Sequence, residues 1–480
     1  MRGTLSFLAV ALTIVGSGFS RIVIVTLVVS GFGRTVSAQD PQPGPVWPRL
    51  SPDEQSEVMR FGEDFKQFIG RAKSAQTFVR EATAIVEAAG FRRWPAAPAR
   101  GDVTPGSRWY SVNRDRTIVA FVIGSEPASR GVRIVNTHND AVHLVLKPRP
   151  FRESVGIALV DTLPHGGIKN YQWVNRPLAL IGRIHKSDGT VVNVDIGHQP
   201  GDPVLLIPDL APHVDRDFLN RTNREVIQTE ELDPIFTSTA EMAVQALHDK
   251  YSLTPDDFLS ADLQIVPAGM PVDVGLDRQL IAAYGHDDRS NGYAAFRAIT
   301  EVKTPTRTAV AYGVNNEEVS SWTTGVNAEW FRTLLAEIIA TQAPEYTDLV
   351  LRRALAASKA LVSDCTTAVN PVFPQPFLPN GSARLGWGLV FKEYGPGREA
   401  DSEYFAEVRG LLNRANVRWQ THAYRAGYGG GTIAQWFANA GMDAIDVGIG
   451  LLSMHSPMDV SSKVDLWELY RGFKAFYAGP

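Results

Sequence analysis

Short apolar segments of this chain repeatedly end in a histidine or an acidic residue. Each segment has the length of a buried strand, and stretches in which apolar residues recur at helical spacing follow several of them. In α/β sheets, ligand sites form at the carboxyl ends of the strands, so these polar side chains are expected to meet at one edge of a sheet. The polar positions that follow the apolar segments are His138, Asp287, Glu317 with Glu318, Asp364 and His455.

The most distinctive of these stretches is residues 284–299, with the sequence YGHDDRSNGYAAFRAI. Apolar residues from Tyr293 to Ile299 recur at helical spacing, which predicts that Asp287 and Asp288 lie just before or at the start of a helix. Backbone N–H groups favour negative charge at that point. The alternative interpretation is an ordinary helix cap or solvated turn, because aspartate is a common N-cap residue.

Two further stretches also have both a functional and a structural interpretation. In His138-Asn139-Asp140, the imidazole can bind a metal ion while the aspartate orients it, or the residues can simply form hydrogen bonds in a loop. In Glu317-Glu318, one carboxylate can bind metal while the other moves protons, or both can be solvated at the surface.

The available side chains limit the kind of metal site. The single cysteine, Cys365, excludes a cysteine-rich zinc site and is expected to be buried beside the functional residues. Histidines and carboxylates together are the ligands of hydrolytic zinc sites, with manganese or cobalt as alternatives, and a bridging carboxylate can hold two ions. With 47 basic and 51 acidic residues, the net charge of −4 provides no electrostatic basis for binding nucleic acid.

The N-terminal segment differs in composition from the rest of the chain. Residues 4–33 are nearly all apolar or small, apart from Arg21, and Val36-Ser37-Ala38 supplies small residues at a cleavage position. This order predicts a secretory signal peptide over residues 1–38, and hence a periplasmic or extracellular protein. The alternative is a retained membrane anchor. Residues 39–48 are rich in proline and glutamine, and 39–50 are expected to form a spacer.

The predicted element type changes along the chain. Residues 51–90 are expected to form two amphipathic helices. Residues 151–270 are rich in strand patterns and are interpreted as a β-rich insertion, within which His165 and His213 receive no role. The second half alternates strands with helices, including a helix predicted over residues 345–360.

Four stretches, in this order and spacing, resemble one known family. They are GGIKNYQWVNRPLAL, DFLSADLQIVPAGMPVDVGLDRQLIAAYGHDDR, GGGTIA and LLSMHSPMDVSSKVDL. From about Ser51 to the C-terminus, the chain resembles the aminopeptidase I and aspartyl aminopeptidase family of dinuclear zinc exopeptidases, and is most similar to its bacterial branch. The resemblance implies a metal-dependent aminopeptidase with two divalent ions, zinc first and manganese or cobalt as alternatives, that acts on the N-terminal residue of peptides.

The resemblance also implies which residues hold the metal ions. His138, Asp287 and Asp364 would hold one ion. Asp287, Glu318 and His455 would hold the other, so that Asp287 bridges the pair.

Fold, catalysis and assembly are implied in the same way. Asp140 would orient the first site and Glu317 would be the general base. The fold class is α/β, with a three-layer zinc-exopeptidase-like domain that has a mixed central sheet and spans residues 51–145 and 272–480. Residues 146–271 would form an inserted β-rich lid and oligomerisation domain, and the family's assembly is a homo-oligomer of twelve subunits.

The chain departs from the family pattern near, but not at, the implied ligands. These departures concern the substrate pocket and the surroundings of the ligands. They argue against a preference of the enzyme for peptides with an acidic N-terminal residue. Two alternative functions stay open: an exported amidase or deacylase on the same scaffold, and a non-catalytic family member. The departures are Ala141-Val142-His143, Val319-Ser320-Ser321, Tyr424-Arg425-Ala426-Gly427, and Thr367 and Asn370.

Overall fold

The computed structural model describes the chain in five stretches. The predicted signal peptide, its alternative as an anchor, and residues 39–43 of the spacer lie outside them. No helix within the described stretches is long and apolar enough to span a membrane. The described residues are 44–218, 220–319, 323–343, 345–395 and 398–479.

Nine α-helices lie in the described residues, and the first shows how the sequence determines a helix start. The hydroxyl of Ser51 accepts the main-chain N–H of Glu54, and the Glu54 carboxylate accepts the main-chain N–H of Ser51. This capping box satisfies two donors that the helix itself cannot. The helices are α1 (Pro52–Arg71), α2 (Ala75–Ala88), α3 (Ala240–Tyr251), α4 (His286–Ile299), α5 (Trp330–Gln342), α6 (Asp348–Ala356), α7 (Ser402–Arg414), α8 (Ala434–Asn439) and α9 (Lys463–Ala478).

The strands of the described residues form four sheets. In chain order they are β1 (Arg92–Arg93), β2 (Arg108–Asn113), β3 (Thr117–Val122), β4 (Val132–His138), β5 (His143–Ser154), β6 (Ile157–His165), β7 (Leu178–His185), β8 (Val191–Ile196), β9 (Ile235–Thr237), β10 (Ala261–Pro267), β11 (Val272–Val274), β12 (Leu280–Ala283), β13 (Thr308–Val314), β14 (Lys359–Ser363), β15 (Thr366–Thr367), β16 (Leu389–Gly395), β17 (Arg398–Glu399), β18 (Trp419–Ala423), β19 (Asp443–Gly448), β20 (Gly450–Leu451) and β21 (Asp459–Ser462).

The main sheet is mixed and has the order β1-β2-β3-β13-β4-β14-β19-β16-β17, with β18 paired to β16. Its centre, β13-β4-β14-β19, is parallel, whereas β3 and β16 pair antiparallel to the outer members of that group. Val314 pairs with His138 at the carboxyl ends of β13 and β4. The segments that follow these central strands therefore emerge at the same edge of the sheet.

Helices cover both faces of the main sheet, because its strands are apolar on both sides. In β3, Ile118, Ala120 and Val122 pack in one core with α1, α2, α4, α7 and α9, whereas Val119 and Phe121 pack in the opposite core with α5, α6 and α8. Successive side chains of a strand point to opposite faces, so one strand supplies both cores. This three-layer arrangement with a mixed sheet confirms the predicted fold class.

A second, antiparallel sheet has the order β8-β7-β10-β5-β6-β9. The chain enters it at β5, shortly after Asp140, and leaves it at the end of β10. Its core contains Trp173, Leu180 and Ile265 and is joined by Leu247 of α3. The boundaries 146–271 and the lid function predicted for this region stay predictions.

Two small sheets complete the main body and were not predicted from the sequence. β11, β12 and β21 form an antiparallel sheet in which Ala283 pairs with Asp459. β15 pairs with β20 in parallel, with Thr366 opposite Gly450. These pairings bring the segments around positions 287, 364 and 455 together. The predicted helix over 345–360 is wrong at its end, since α6 stops at Ala356 and β14 begins three residues later.

Candidate metal centre

The first group of candidate ligands lies at the carboxyl ends of β4 and β14. Nε2 of His138 lies 3.3 Å from Oδ1 of Asp287 and 3.7 Å from Oδ1 of Asp364. All three side chains are buried. Ligand atoms of the three residues lie within 4.8 Å of one another, which is close enough for a single ion to contact all of them.

The second group shares a residue with the first. Nε2 of His455 lies 3.3 Å from Oδ2 of Asp287 and 3.3 Å from Oε1 of Glu318. The two carboxylate oxygens of Asp287 therefore face two different histidines. His455 has a φ of 63°, an uncommon conformation for this residue, in a turn where the N–H of Ser456 donates to Asp459.

The two aspartates at the start of α4 do not cap it. Gly285 is the N-cap, and Asp287 and Asp288 have non-helical backbone angles although they fall within the bounds of α4. The interpretation as a helix cap is therefore wrong. Asp288 accepts the main-chain N–H of His138 at 3.2 Å, so it fastens the end of β4 to α4.

The donor atoms of both groups fit a divalent cation. Oδ1 of Asp287 and Oε1 of Glu318 are buried and each lies 3.3 Å from an imidazole nitrogen, but neither accepts a hydrogen bond of good geometry within the described part of the chain. Burial without a partner is costly for a carboxylate oxygen, and coordination to a cation removes that cost. Imidazole nitrogen with carboxylate oxygen is a donor set that zinc accepts.

The electrostatics of the cluster are those of closely spaced acids and imidazoles. Burial opposes a charge on His138, but the carboxylates around it outweigh burial and raise its pKa well above the usual range. For His455, contacts with Asp287 and Glu318 overcome burial and raise the pKa to about 10. Burial, together with Asp287, raises the pKa of Glu318. Protons and metal ions therefore compete for the same atoms.

Asp140 lies behind the first group and is held by several donors. Nδ1 of His138 lies 3.1 Å from the main-chain carbonyl oxygen of Asp140 and 3.5 Å from its Oδ1. The Asp140 carboxylate accepts the main-chain N–H groups of Glu317 (3.1 Å) and Glu318 (3.2 Å), and Nε2 of His165 (3.1 Å). Burial would raise the pKa of Asp140, but the contacts with the two histidines hold it well below its usual value.

Comparison with known proteins identifies the family. The sequence model described as "Aminopeptidase I zinc metalloprotease (M18)" matches residues 68–477. The chain belongs to this family. A "Probable M18 family aminopeptidase 1" of Clostridium acetobutylicum is 36% identical in an alignment of 451 positions that covers 90% of this chain and 97% of the relative.

Solved structures agree with this membership. The M18 family aminopeptidase of Thermotoga maritima is 33% identical and superposes with a TM-score of 0.85, covering 91% of this chain and 99% of that one. The S. cerevisiae mApe1 dodecamer is 21% identical, with a TM-score of 0.73 over 88% of this chain and 97% of that one, and therefore shares the fold.

Membership of the aminopeptidase I family confirms the predicted enzyme class. The protein is a zinc metallo-aminopeptidase, a hydrolase of peptide bonds, and the centre characteristic of its family holds two metal ions. The two groups of ligand atoms around Asp287 match that number. The alternatives of a different hydrolase and of a non-catalytic protein are not needed to explain the chain.

Within this aminopeptidase I scaffold, Glu317 lies at the wall of a cavity of about 580 Å³. A cavity of this size is typical of sites for small ligands. Burial, reinforced by Asp364 and Asp140 and opposed by His138, raises the pKa of Glu317 to about 7. A carboxylate with a pKa near neutrality is suited to accept and return a proton.

Three features near the site were missed or left without a role by the sequence analysis. Lys392, on β16, donates to Oδ2 of Asp364 and to the main-chain oxygen of Cys365. His165 contacts Asp140, as described above. A third close set of potential ligand atoms joins Asp287 and Asp288 to Cys365, which is buried beside the site as predicted, and burial raises the pKa of its thiol well above the usual value.

Proposed function

We propose that the protein removes the N-terminal residue of peptides at a centre in which Asp287 is shared between two metal ions. His138 and Asp364 would complete the ligands of one ion, and Glu318 and His455 would complete those of the other. The observation that carries this proposal is that Oδ1 and Oδ2 of Asp287 each lie 3.3 Å from a different imidazole.

The metal ions, when bound, supply Lewis acidity that lowers the pKa of a water molecule from 15.7 to about 7 and polarises the scissile carbonyl. The remaining chemistry belongs to the protein. Glu317 accepts a proton from the attacking water and returns it to the amine that leaves. The carboxylate of Asp140 accepts a hydrogen bond from the main-chain N–H of Glu317. This contact fixes the position of the base at the cavity wall.

Carboxylates at the cavity wall support a preference for free N-termini. Glu317, Glu318 and Asp364 border the cavity, which basic side chains also line, and the ammonium group of a peptide can pair with one of these carboxylates. A blocked N-terminus lacks that charge. Cleavage is therefore restricted to the first residue.

A substrate panel tests this function. Aminoacyl-p-nitroanilides and their N-acetylated counterparts are offered to protein loaded with zinc, manganese or cobalt. The expected result is hydrolysis of the free-amine substrates and none of the acetylated ones. Equal hydrolysis of both would identify an amidase, and no hydrolysis with any of the metals would contradict catalysis by this centre.

We also propose that residues 146–271 act as a lid and as an oligomerisation domain in a homo-oligomer of twelve subunits. The mApe1 dodecamer with the same fold supports this, as do the exposed apolar side chains of Val155, Leu210 and Val214 in this region. Light scattering on the purified chain tests it. A mass of one or two subunits at micromolar concentration would contradict the proposal.

Export is proposed from residues 1–38, with cleavage after Ala38. The support is the apolar segment followed by small residues at the cleavage position. Mass spectrometry of the mature protein is expected to show Gln39 as the first residue. An intact N-terminus in the membrane fraction would favour the retained anchor.

A further inference from the structure

Three consecutive residues, beginning with the last residue of β6, lie against the candidate metal centre. His165 is the last residue of β6, and Gly166 and Gly167 follow it. Nε2 of His165 lies 3.1 Å from Oδ2 of Asp140. The main-chain oxygen of Gly167 lies 2.9 Å from Nδ1 of His455. The segment therefore contacts residues that belong to, or support, both groups of ligands.

The contact with His455 determines which nitrogen of that imidazole is free. A carbonyl oxygen can only accept, so Nδ1 of His455 carries the proton that it donates to Gly167. Nε2 is then the atom that faces Asp287 and Glu318. Orientation of a metal-binding histidine through its other nitrogen is a general feature of metal sites.

Gly166 packs directly against a candidate ligand. It has a φ of +80°, and a methyl group added to it would lie 2.7 Å from Cγ1 of Val142 and 3.1 Å from Oε2 of Glu318. A methyl group added to Gly167 would instead lie 3.8 Å from Nδ1 of His455, an ordinary contact distance. There is therefore no room for a side chain at Gly166, whereas a methyl group fits at Gly167.

The ring of His165 is held by its own neighbours. It stacks on the ring of His143 with 4.1 Å between centroids and an angle of 20° between planes. Nδ1 of the buried His143 donates to the main-chain oxygen of Ala141 at 2.7 Å. His143 lies directly opposite His165 in the pairing of β5 with β6, so the sheet itself sets the direction of the ring.

We propose that His165 is a positioning residue of the metal centre, which holds Asp140 through Nε2–H and through it aligns His138 and the main chain of Glu317 and Glu318. This inference rests on the ligand set proposed above. It gives the second sheet a role inside each subunit that is separate from any part in a lid or an oligomer.

The carboxylate of Asp140 shows why one donor matters. It is buried, and within the described residues it accepts from two main-chain N–H groups and the imidazole of His165, with the imidazole of His138 3.5 Å away. Loss of one donor leaves a buried carboxylate oxygen with fewer hydrogen bonds, and the carboxylate can then rotate. Removal of such supporting contacts typically lowers metal affinity by about 10–100-fold.

The test measures zinc affinity of the full-length, metal-free protein by competition with a chromophoric chelator. His165→Phe keeps a flat ring against His143 but removes the donor, and we expect zinc affinity to fall about 10–100-fold. His165→Gln keeps a donor near the position of Nε2 and is expected to restore most of the affinity. His185→Phe, an exposed histidine at the end of β7, is the matched control and should bind zinc normally.

The glycines provide an independent pair of variants. Gly166→Ala is expected to weaken zinc binding because the added methyl group presses on Glu318, whereas Gly156→Ala, with a φ of +78° and no atom within 4 Å of the added methyl group, should leave binding unchanged. They test the contact of this segment with Glu318; if His165→Phe fails to fold, His165→Leu also removes the donor to Asp140 and is expected to show the same fall in zinc affinity.

The reference variant separates failure of this inference from failure of the ligand set. His138→Ala should reduce bound zinc from two ions to one. If it does so while His165→Phe binds zinc like the unaltered protein, the positioning role of His165 is overturned. If His138→Ala keeps both ions, the ligand set itself is wrong, and the inference falls with it.

Discussion

The ammonium nitrogen of Lys392 lies 2.8 Å from Oδ2 of Asp364, and both side chains are largely buried. Because this contact engages Oδ2, the other oxygen of Asp364 faces His138. Lys392, which opposes the effect of burial, keeps the pKa of Asp364 below its usual value. The candidate ligand is therefore ionised and oriented before any metal ion binds.

Replacement of this lysine is expected to destabilise the metal-free protein. Lys392→Met leaves a buried carboxylate without its partner, a change that typically costs about 3–5 kcal/mol. Lys359→Met is the control, because Lys359 pairs with Glu407 at a partly exposed position where such pairs contribute up to about 1 kcal/mol. Thermal unfolding in the presence of a chelator measures the loss of stability in both variants. Equal losses for the two variants would contradict a special role for Lys392.

Glu317→Gln separates proton transfer from metal binding. The amide has nearly the same shape as the carboxylate but cannot accept the proton, so kcat should fall about 10²–10⁴-fold. Bound zinc, measured by elemental analysis, should stay at two ions. Glu318→Gln is the comparison and should lose metal as well as activity. A Glu317→Gln protein that retains full activity would refute the assignment of the base.

Zinc binding should release protons. In the metal-free protein the surrounding carboxylates raise the pKa of His138 well above its usual value and that of His455 to about 10, so a metal ion must displace protons to bind these imidazoles. Zinc binding should therefore release protons, and zinc affinity should rise with pH. Calorimetry in two buffers of different ionisation enthalpy counts them. Binding without proton release would show that these imidazoles are not ligands.

Lys73 predicts a pH dependence of stability away from the metal centre. It is almost fully buried, donates to the main-chain oxygen of Gly269 at 2.7 Å, and burial together with Arg289 lowers its pKa to about 7. Between pH 7 and the ordinary lysine pKa, the unfolded chain binds more protons than the folded one, so stability contributed by this group increases with pH.

The corresponding variant is Lys73→Met, which removes the titrating group. The free energy of unfolding of the variant, minus that of the unaltered protein, should be largest near pH 7. This difference should decrease as the pH approaches 10. Urea unfolding at several pH values measures the difference. A difference that does not change with pH would show that the pKa of Lys73 is not lowered.

The sequence predicted the central part of the fold and the position of the site because that information is local. The apolar run from Thr308 to Val314 has the length of a strand, and Asp364 directly follows another. Parallel pairing of such strands brings the residues that follow them to one edge. The positions proposed as ligands lie together for this reason.

The residues that support the site could not be predicted in the same way. A lysine that follows an apolar run in the sequence, as Lys392 follows Leu389-Val390-Phe391, is usually solvated, and the pairing of β16 with β19 is what places it near Asp364. The contact of His165 with Asp140 depends on the register of β5 and β6, which no local pattern specifies. The short strands β11, β12 and β21 have too few residues for a recognisable alternation.

The sharing of Asp287 is tested most directly by anomalous diffraction from crystals of the protein grown with zinc. Two zinc peaks are predicted, one beside His138 and Asp364 and the other beside Glu318 and His455, with one oxygen of Asp287 directed at each. A single peak, or an Asp287 carboxylate that contacts neither ion, would contradict the account.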